Sequence, residues 1–353
     1  MKSALREIAG CELPQAPSAA RRRTPLSRQE CVDGILRGDR TVLARGVTLI
    51  ESALAADREL AEQIVEDCLP HSGHSIRVGI TGVPGAGKST LIEALGRYLI
   101  EDKRQKVAVL AIDPSSQVSG GSILGDKTRM PALAGSDMAF IRPSPSRGIS
   151  GGVAQRTREA MLLCEAAGYH NVIVETVGVG QSETAVHEMV DFFLLITLAG
   201  AGDELQGIKR GVMELADLIA VNKADGENMA AAESARVEAG KALHFFPACE
   251  SGWTPRAVTC SALTGAGVRE LWECVLQYVE LTRESGWLQR ARRTQQKRWM
   301  REMIDQSLHE RFYAHPEVRP SIEALERDVA AGRTTSFRAA RMLLEMYSRK
   351  IGD

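Results

Sequence analysis

The sequence predicts an α/β protein built on a doubly wound, mostly parallel sheet. Short continuous apolar runs recur between residues 76 and 260, and helix-like segments lie between several of them. Continuous runs, rather than alternating ones, are typical of strands buried on both faces. The first run also leads directly into a glycine-rich loop, GITGVPGAGKSTLIEAL, at residues 79–95. The predicted strands are IRVGIT (76–81), VAVLAI (107–112), MAFI (138–141), NVIVE (171–175), FFLLITLA (192–199), LIAV (218–221) and AVTC (257–260).

Helical periodicity flanks this region on both sides. Before it, apolar residues at steps of three and four predict one helix face, formed by Leu43, Val47, Ile50 and Leu54, with Leu60, Ile64 and Cys68 continuing the spacing. After residue 285, apolar residues again step by four, at Met300, Ile304, Leu308 and Phe312, and no strand signal returns. We therefore expect a disordered tail (1–26), an N-terminal helical segment (27–72), the α/β domain (73–284) and a C-terminal helical arm (285–353).

Composition is that of an ordinary soluble globular protein. The 353 residues are 44% hydrophobic and 25% charged, and the net charge of −1 favours neither nucleic acid nor an acidic membrane as a partner. No apolar run reaches the roughly 18 residues that a membrane span needs. The seven cysteines include no C-x-x-C pair, which indicates reduced thiols in a cytoplasmic protein rather than a metal site. Glu7 and Glu12 argue against a transit peptide.

The glycine-rich loop has the spacing of a phosphate-binding loop, G-x-x-x-x-G-K-[ST]. A buried strand precedes it and an amphipathic helix follows. Backbone N–H groups and the helix N-terminus would surround the phosphates, Lys88 would reach the β- and γ-phosphates, and the Ser89 hydroxyl would ligate Mg²⁺. The expected nucleotide contacts are Gly82, Val83, Pro84, Gly85, Ala86, Gly87, Lys88, Ser89 and Thr90.

A second motif indicates guanine rather than adenine. Asn222-Lys223-Ala224-Asp225 follows a hydrophobic strand in the N-K-x-D pattern. The Asp225 carboxylate can accept both guanine donors, N1–H and N2–H₂, whereas adenine would leave it desolvated and unpaired. The Lys223 stem can cover the base. Ser261-Ala262-Leu263 resembles the short loop that holds the guanine O6 by a backbone N–H.

Two carboxylates end buried strands at the edge where parallel sheets bind ligands, Asp113 and Glu175. Either could order Mg²⁺ waters or the attacking water, although Asp113 could instead cap the turn before Pro114. Glu175-Thr-Val-Gly178 occupies the place of the D-x-x-G motif of most GTPases. Gln181 lies three residues beyond Gly178, so its role in positioning water stays open.

The chain also resembles the MeaB/ArgK family of P-loop GTPases over roughly residues 30 to 350. The segments that carry the resemblance are AIDPSS, GGSILGDKTRM, FIRPSPSRG, ETVGVGQSE and AGAGDELQGIKRG. The resemblance implies a G-protein chaperone of an adenosylcobalamin-dependent acyl-CoA mutase, typically methylmalonyl-CoA mutase, with an adenosyltransferase as a further partner. It also implies a homodimer joined through the C-terminal arm.

The resemblance further implies roles for individual residues. Asp113 and Asp126 would lie near Mg²⁺ and the first switch, and Glu175 would belong to the second switch together with Gly178 and Gln181. A third switch that senses the partner would contain Asp203, Glu204, Gln206, Lys209 and Arg210. The residues expected to serve catalysis are Lys88, Asp113, Asp126, Glu175 and Lys209. Because no arginine finger is assignable, we expect slow turnover alone and stimulation by the partner.

One departure from the family, one absent motif and two alternatives accompany this interpretation. Arg147-Gly-Ile-Ser150 replaces the Ser-Gly-Thr-Leu expected of the family, and the cobalamin-binding pattern D-x-H-x-x-G is absent from the sequence. We therefore expect no direct binding of cobalamin. The alternatives are an ATP-dependent kinase linked to arginine/ornithine transport and a nickel or cobalt metallochaperone GTPase. The first conflicts with Asp225, and the second usually needs His-rich or Cys-rich segments.

Overall fold

The computed structural model describes residues 26–52, 54–113, 130–145, 150–176, 182–200 and 210–348. The strands are β1 Ile76–Gly82, β2 Val107–Asp113, β3 Ala139–Pro145, β4 Asn171–Thr176, β5 Phe192–Leu198, β6 Leu218–Asn222 and β7 Arg256–Thr259. The helices up to β5 are α1 Arg28–Leu36, α2 Arg40–Glu51, α3 Ala55–Cys68, α4 Lys88–Glu101, α5 Pro131–Gly135, α6 Ser150–Ala166 and α7 Ser182–His187. Those that follow are α8 Arg210–Glu214, α9 Met229–Leu243, α10 Val268–Glu284, α11 Trp287–Ala314, α12 Val318–Ala330 and α13 Ser336–Ser348.

All seven strands are parallel and form one sheet in the order β3-β2-β4-β1-β5-β6-β7. The chain winds outwards on both sides of β1, and helices cover both faces of the sheet. The prediction of a doubly wound parallel fold is therefore confirmed. Because parallel strands share an edge for their carboxyl ends, Gly82, Asp113, Thr176 and Asn222 all finish on the same side of the sheet.

Two apolar layers enclose the sheet. One face packs against α4, α9 and α10, around the fully buried Trp272. The other packs against α1–α3, α6 and the end of α7, around Leu43, Ile64 and Phe193. The continuous apolar runs of the sequence reflect this double coverage.

The predicted helix face through Leu54 is wrong. Helix α2 ends at Glu51, because Ser52 has extended backbone dihedrals, and its hydroxyl donates to the Asp57 carboxylate (2.6 Å) as α3 begins. Leu54 is 67% exposed, at the N-terminal end of α3, so the apolar spacing spans two helices instead of one.

The C-terminal region is helical, as predicted. Leu288 is the one buried residue of the 28-residue α11 among its described positions. Three of the four apolar residues that step by four remain half-exposed, namely Met300, Ile304 and Leu308. Within the described ranges, no helix is both long and apolar enough to span a bilayer. The expected tail falls almost wholly outside those ranges, and the division into domains stays a prediction.

Candidate nucleotide-binding site

The phosphate-binding loop joins β1 to α4, and two of its glycines are required by close contacts. A Cβ on Gly82 would lie 2.2 Å from the Ile196 carbonyl oxygen of the neighbouring β5. Gly87 has φ of 85° at the N-cap of α4, and a Cβ there would lie 2.7 Å from Asn222 Nδ2. The loop is thus packed closely against Ile196 and Asn222, which are distant in the sequence. Its glycines allow the turn that leads into α4.

Lys88 is the first residue of α4 and lies inside the loop. Its side chain is buried, and Nζ donates to the carbonyl oxygens of Gly82 (2.8 Å) and Val83 (3.2 Å). The loop itself therefore holds the ammonium group where phosphate oxygens would bind. The N-terminal end of the 14-residue α4 adds its partial positive charge at the same place.

The next residue, Ser89, meets the end of β4. Its hydroxyl donates to the Glu175 carboxylate (3.1 Å), and Glu175 is buried with 2% exposure. Hydroxyl and carboxylate oxygens are the ligands that Mg²⁺ prefers, so this pair fits the cation. Asp113 ends the adjacent β2, one residue beyond the paired Ile112 and Thr176. The hydrogen bond thus joins two of the expected metal ligands, Ser89 and Glu175, and Asp113 lies on the neighbouring strand.

The sequence did not predict a hydrogen bond next to Glu175. The Thr176 hydroxyl donates to the Thr81 hydroxyl (2.8 Å), and both groups are buried. It ties the strand that carries Glu175 to the strand that enters the phosphate loop. Thr81 and Thr176 each adjoin a motif residue, but nothing in their spacing indicates that they touch.

The Asn222 side chain connects the phosphate loop with the guanine motif. Its Nδ2 donates to the Ala86 carbonyl (2.8 Å), and its Oδ1 accepts from the Ala262 N–H (3.0 Å). The Cys260 thiol lies 3.7 Å from the same Oδ1. Burial raises the pKa of that thiol to about 12, so it remains a donor. Both polar atoms of the amide are thus used, and they hold the phosphate loop and the 260–262 segment together.

Asp225 and the 261–263 loop also converge. The Ser261 hydroxyl donates to the Asp225 carboxylate and accepts from the Thr264 N–H (3.1 Å). Lys223 has φ of 60° and is exposed, with its carbonyl held by Asn228 Nδ2 (2.7 Å). The Asp225 carboxylate bonded to Ser261 and the exposed Lys223 thus lie together beyond the end of β6, where the sequence predicts the guanine ring.

The remaining predicted residues divide in two groups. Thr90 lies on α4, Pro84 and Gly85 lie in the phosphate loop, and Leu263 is 82% exposed at the tip of its loop. Arg210 is the first residue of α8. The others lie outside the described residues: Asp126, Gly178, Gln181, Asp203, Glu204, Gln206 and Lys209.

Residues 43–317 match the family model described as methylmalonyl Co-A mutase-associated GTPase MeaB. The chain belongs to the MeaB family. GTPase ArgK of Escherichia coli is 46% identical over 309 residues, which cover 86% of this chain and 93% of the relative. The mouse protein named methylmalonic aciduria type A homolog, mitochondrial, is 42% identical over 327 residues, covering 90% and 79%. The suspected family is thus confirmed.

A solved structure supports the same fold. The crystal structure titled LAO/AO transport system kinase superposes with a TM-score of 0.72 at 39% identity, covering 91% of this chain and 97% of that one. As a MeaB-family member with a phosphate loop and a guanine motif in place, the protein is a GTPase that hydrolyses GTP.

Proposed function

We propose that this GTPase couples GTP binding and hydrolysis to cofactor loading and protection of an adenosylcobalamin-dependent acyl-CoA mutase. The observation that supports GTP most directly is the hydrogen bond from the Ser261 hydroxyl to the Asp225 carboxylate, the group expected to accept from guanine. The family description, mutase-associated GTPase, supports the partner class. The same description names methylmalonyl Co-A mutase, which supports that enzyme in particular.

The chain's own residues account for much of the chemistry. Lys88, the loop N–H groups and the α4 N-terminus offset the charge of the γ-phosphate as water attacks it in line. Ser89 and Glu175 would hold Mg²⁺, with Asp113 and Asp126 near it, and the cation would neutralise charge on the β- and γ-phosphate oxygens. Turnover is slow alone, and the partner accelerates it by ordering Lys209, Arg210 or the second switch.

We further propose that the protein is a homodimer joined through the arm, α11–α13. The support is an exposed apolar series along α11, at Met300, Ile304 and Leu308, together with Phe337, which is 86% exposed on α13. Large apolar side chains that are exposed on neighbouring helices favour burial against another protein surface. An adenosyltransferase would be a second partner in the cytoplasm, and cobalamin would be held by the partners rather than by this chain.

A kinase linked to amino-acid transport is the second candidate, because the superposed structure carries that title. Kinases of this kind would use ATP, whereas the Ser261–Asp225 arrangement offers acceptors for guanine. Comparing affinities for GTP and ATP separates the two proposals: tighter ATP binding would favour the kinase.

The proposal is tested by measuring GTP hydrolysis with and without stoichiometric methylmalonyl-CoA mutase from the same organism. We expect stimulation of about tenfold or more, equivalent to about 1.4 kcal/mol of barrier. GTP hydrolysis that stays unchanged with this mutase and with other acyl-CoA mutases would contradict the chaperone role while leaving the GTPase activity standing.

A further inference from the structure

Helix α7 is placed to respond to the nucleotide. It follows β4, whose Glu175 contacts Ser89 in the phosphate loop, and it leads through residues 188–191 into β5. The segments that follow this strand in GTPases change order with the γ-phosphate. A contact that holds the exit of α7 would therefore bear on hydrolysis.

Helix α11 of the arm contacts this exit turn along its length. Arg292 donates to the Asp191 carboxylate through Nε (2.7 Å) and Nη2 (2.6 Å). Gln295 Nε2 donates to the Val190 carbonyl (2.9 Å). Trp299 Nε1 then donates to the Glu188 carbonyl (3.3 Å). The three donors recur at steps of three and four, so they form one face of α11.

A chain of alternating charges joins α11 to the same turn. Glu302 pairs with Arg158 of α6 (2.6 Å) and with Arg298 (3.3 Å), which in turn pairs with Glu188 (2.8 Å). The buried Arg158 guanidinium also lies 4.9 Å from the centre of the Trp299 ring. Glu302 and Trp299 thus share Arg158 and reach both α6 and the end of α7.

The two ends of this contact differ in how firmly they are held. Arg292 also donates to the Gly73 (2.5 Å) and Ser75 (2.6 Å) carbonyls, and Asp191 also accepts from the Arg77 N–H (2.9 Å). Around Asp191 the arm is fixed to the starts of β1 and β5. The Arg298 and Glu188 side chains are 58% and 18% exposed, so this end of the contact is more open to rearrangement.

We infer that α11 is a positioning element for GTP hydrolysis, with Trp299 and Glu302 holding the exit of α7 in its active arrangement. The inference rests on the GTPase activity and on the proposed role of the segment after Glu175 as the second switch. Coupling between two sites is reciprocal, so the bound nucleotide would also bias the orientation of the arm. The position of the exposed apolar residues of α11 would thereby depend on which nucleotide is bound.

Three full-length variants test this inference: Glu302→Gln, Trp299→Phe and the control Arg269→Gln. Arg269 forms an exposed pair with Glu273 on α10 (2.9 Å), away from α7. We expect Glu302→Gln and Trp299→Phe to lower kcat for GTP hydrolysis about fivefold or more, with KM changed less than about twofold. Both should also change the ratio of affinities for GDP and a non-hydrolysable GTP analogue by about threefold or more. Arg269→Gln should match wild type in each respect.

Tryptophan fluorescence separates the two roles, because a Trp299 that only stabilises the fold would emit equally with either nucleotide bound. The difference in emission between the GDP-bound and GTP-analogue-bound states should be present in wild type and largely lost in Trp299→Phe. If Glu302→Gln and Trp299→Phe keep the wild-type kcat, affinity ratio and emission difference, the inference is wrong. Absence of GTP hydrolysis by wild type would instead contradict the activity on which the inference rests.

Discussion

The Asn222 amide donates a 2.8 Å hydrogen bond to the Ala86 carbonyl, 136 residues away in the sequence. The same side chain accepts from the Ala262 N–H, so it ties the phosphate loop to the loop expected beside the guanine O6. The loops that bind the base and the phosphates would therefore both be held by Asn222. A nucleotide with another base could place its phosphates in the phosphate loop, but its base would then lack hydrogen-bond partners in the guanine loop.

Replacing Asn222 with Ala should weaken GTP binding about tenfold or more and lower the free energy of unfolding by about 2–4 kcal/mol. The substitution leaves the partly buried Ala262 N–H and the buried Ala86 carbonyl without their partner, and each such loss costs about 1–3 kcal/mol. Titration calorimetry and urea denaturation measure the two effects. Asn228→Ala, which removes one exposed bond to the Lys223 carbonyl, serves as the control and should change stability much less.

Two loop glycines offer a matched pair that separates backbone strain from crowding. Gly85 and Gly87 have similar φ, 79° and 85°, but nothing lies within 4 Å of a Cβ on Gly85, whereas a Cβ on Gly87 meets Asn222 Nδ2 at 2.7 Å. Both Ala variants should pay about 1 kcal/mol of strain. Without nucleotide, Gly87→Ala should be less stable than Gly85→Ala. Equal unfolding free energies would show that Asn222 does not restrict this position.

The Ser89 hydroxyl should be needed for the metal-dependent step. Ser89→Ala removes the donor to Glu175 and the oxygen expected to ligate Mg²⁺. We expect kcat to fall about tenfold or more and the dependence of GTP affinity on Mg²⁺ to weaken. Ser321→Ala, which removes a hydroxyl bonded to the Glu317 carbonyl on α12, is the control. An unchanged response to Mg²⁺ in Ser89→Ala would place the metal elsewhere.

Asp217 should make the stability of the protein pH-dependent. Burial raises the pKa of its carboxyl from 3.8 to about 7, although the Phe193 N–H donates to it (2.8 Å). Between about pH 4 and 7 the folded state therefore binds more protons than the unfolded one, and stability falls as pH rises, by at most about 1.4 kcal/mol per unit. Asp217→Asn, which keeps an acceptor for Phe193, should flatten this slope in urea denaturation. An identical slope in the variant would show that other groups cause it.

Much of the site was predictable because its residues lie at or just beyond the carboxyl ends of buried parallel strands. Phosphate loops and N-K-x-D segments keep fixed positions relative to their strands, so Lys88, Ser89, Glu175 and Asn222 could be expected at one edge of the sheet. Side-chain contacts between strands that are distant in the sequence, such as the Thr81–Thr176 hydrogen bond, leave no spacing to recognise. Such contacts depend on which strands are neighbours in the sheet, and side-chain spacing along the sequence does not give that order.

The helical regions show where periodicity misleads. The spacing that ended at Leu54 continued across a break between α2 and α3, because the extended backbone of Ser52 ends the first helix and Leu54 begins the second. In α11, the apolar series at Met300, Ile304 and Leu308 predicted a helix correctly but left its surroundings undetermined. The polar series at Arg292, Gln295 and Trp299 makes the contacts with the GTPase fold.

The central claim, that Asp225 selects guanine within a GTPase site, is tested most directly by the base preference of Asp225→Asn. Affinities for GDP, XDP and ADP would be measured by titration for wild type and variant. We predict that wild type prefers GDP, and that the variant loses GDP affinity by about 100-fold or more while gaining XDP, because the amide can donate to the xanthine O2. A variant that still binds GDP tightly, or a wild type that prefers ADP, would contradict the account.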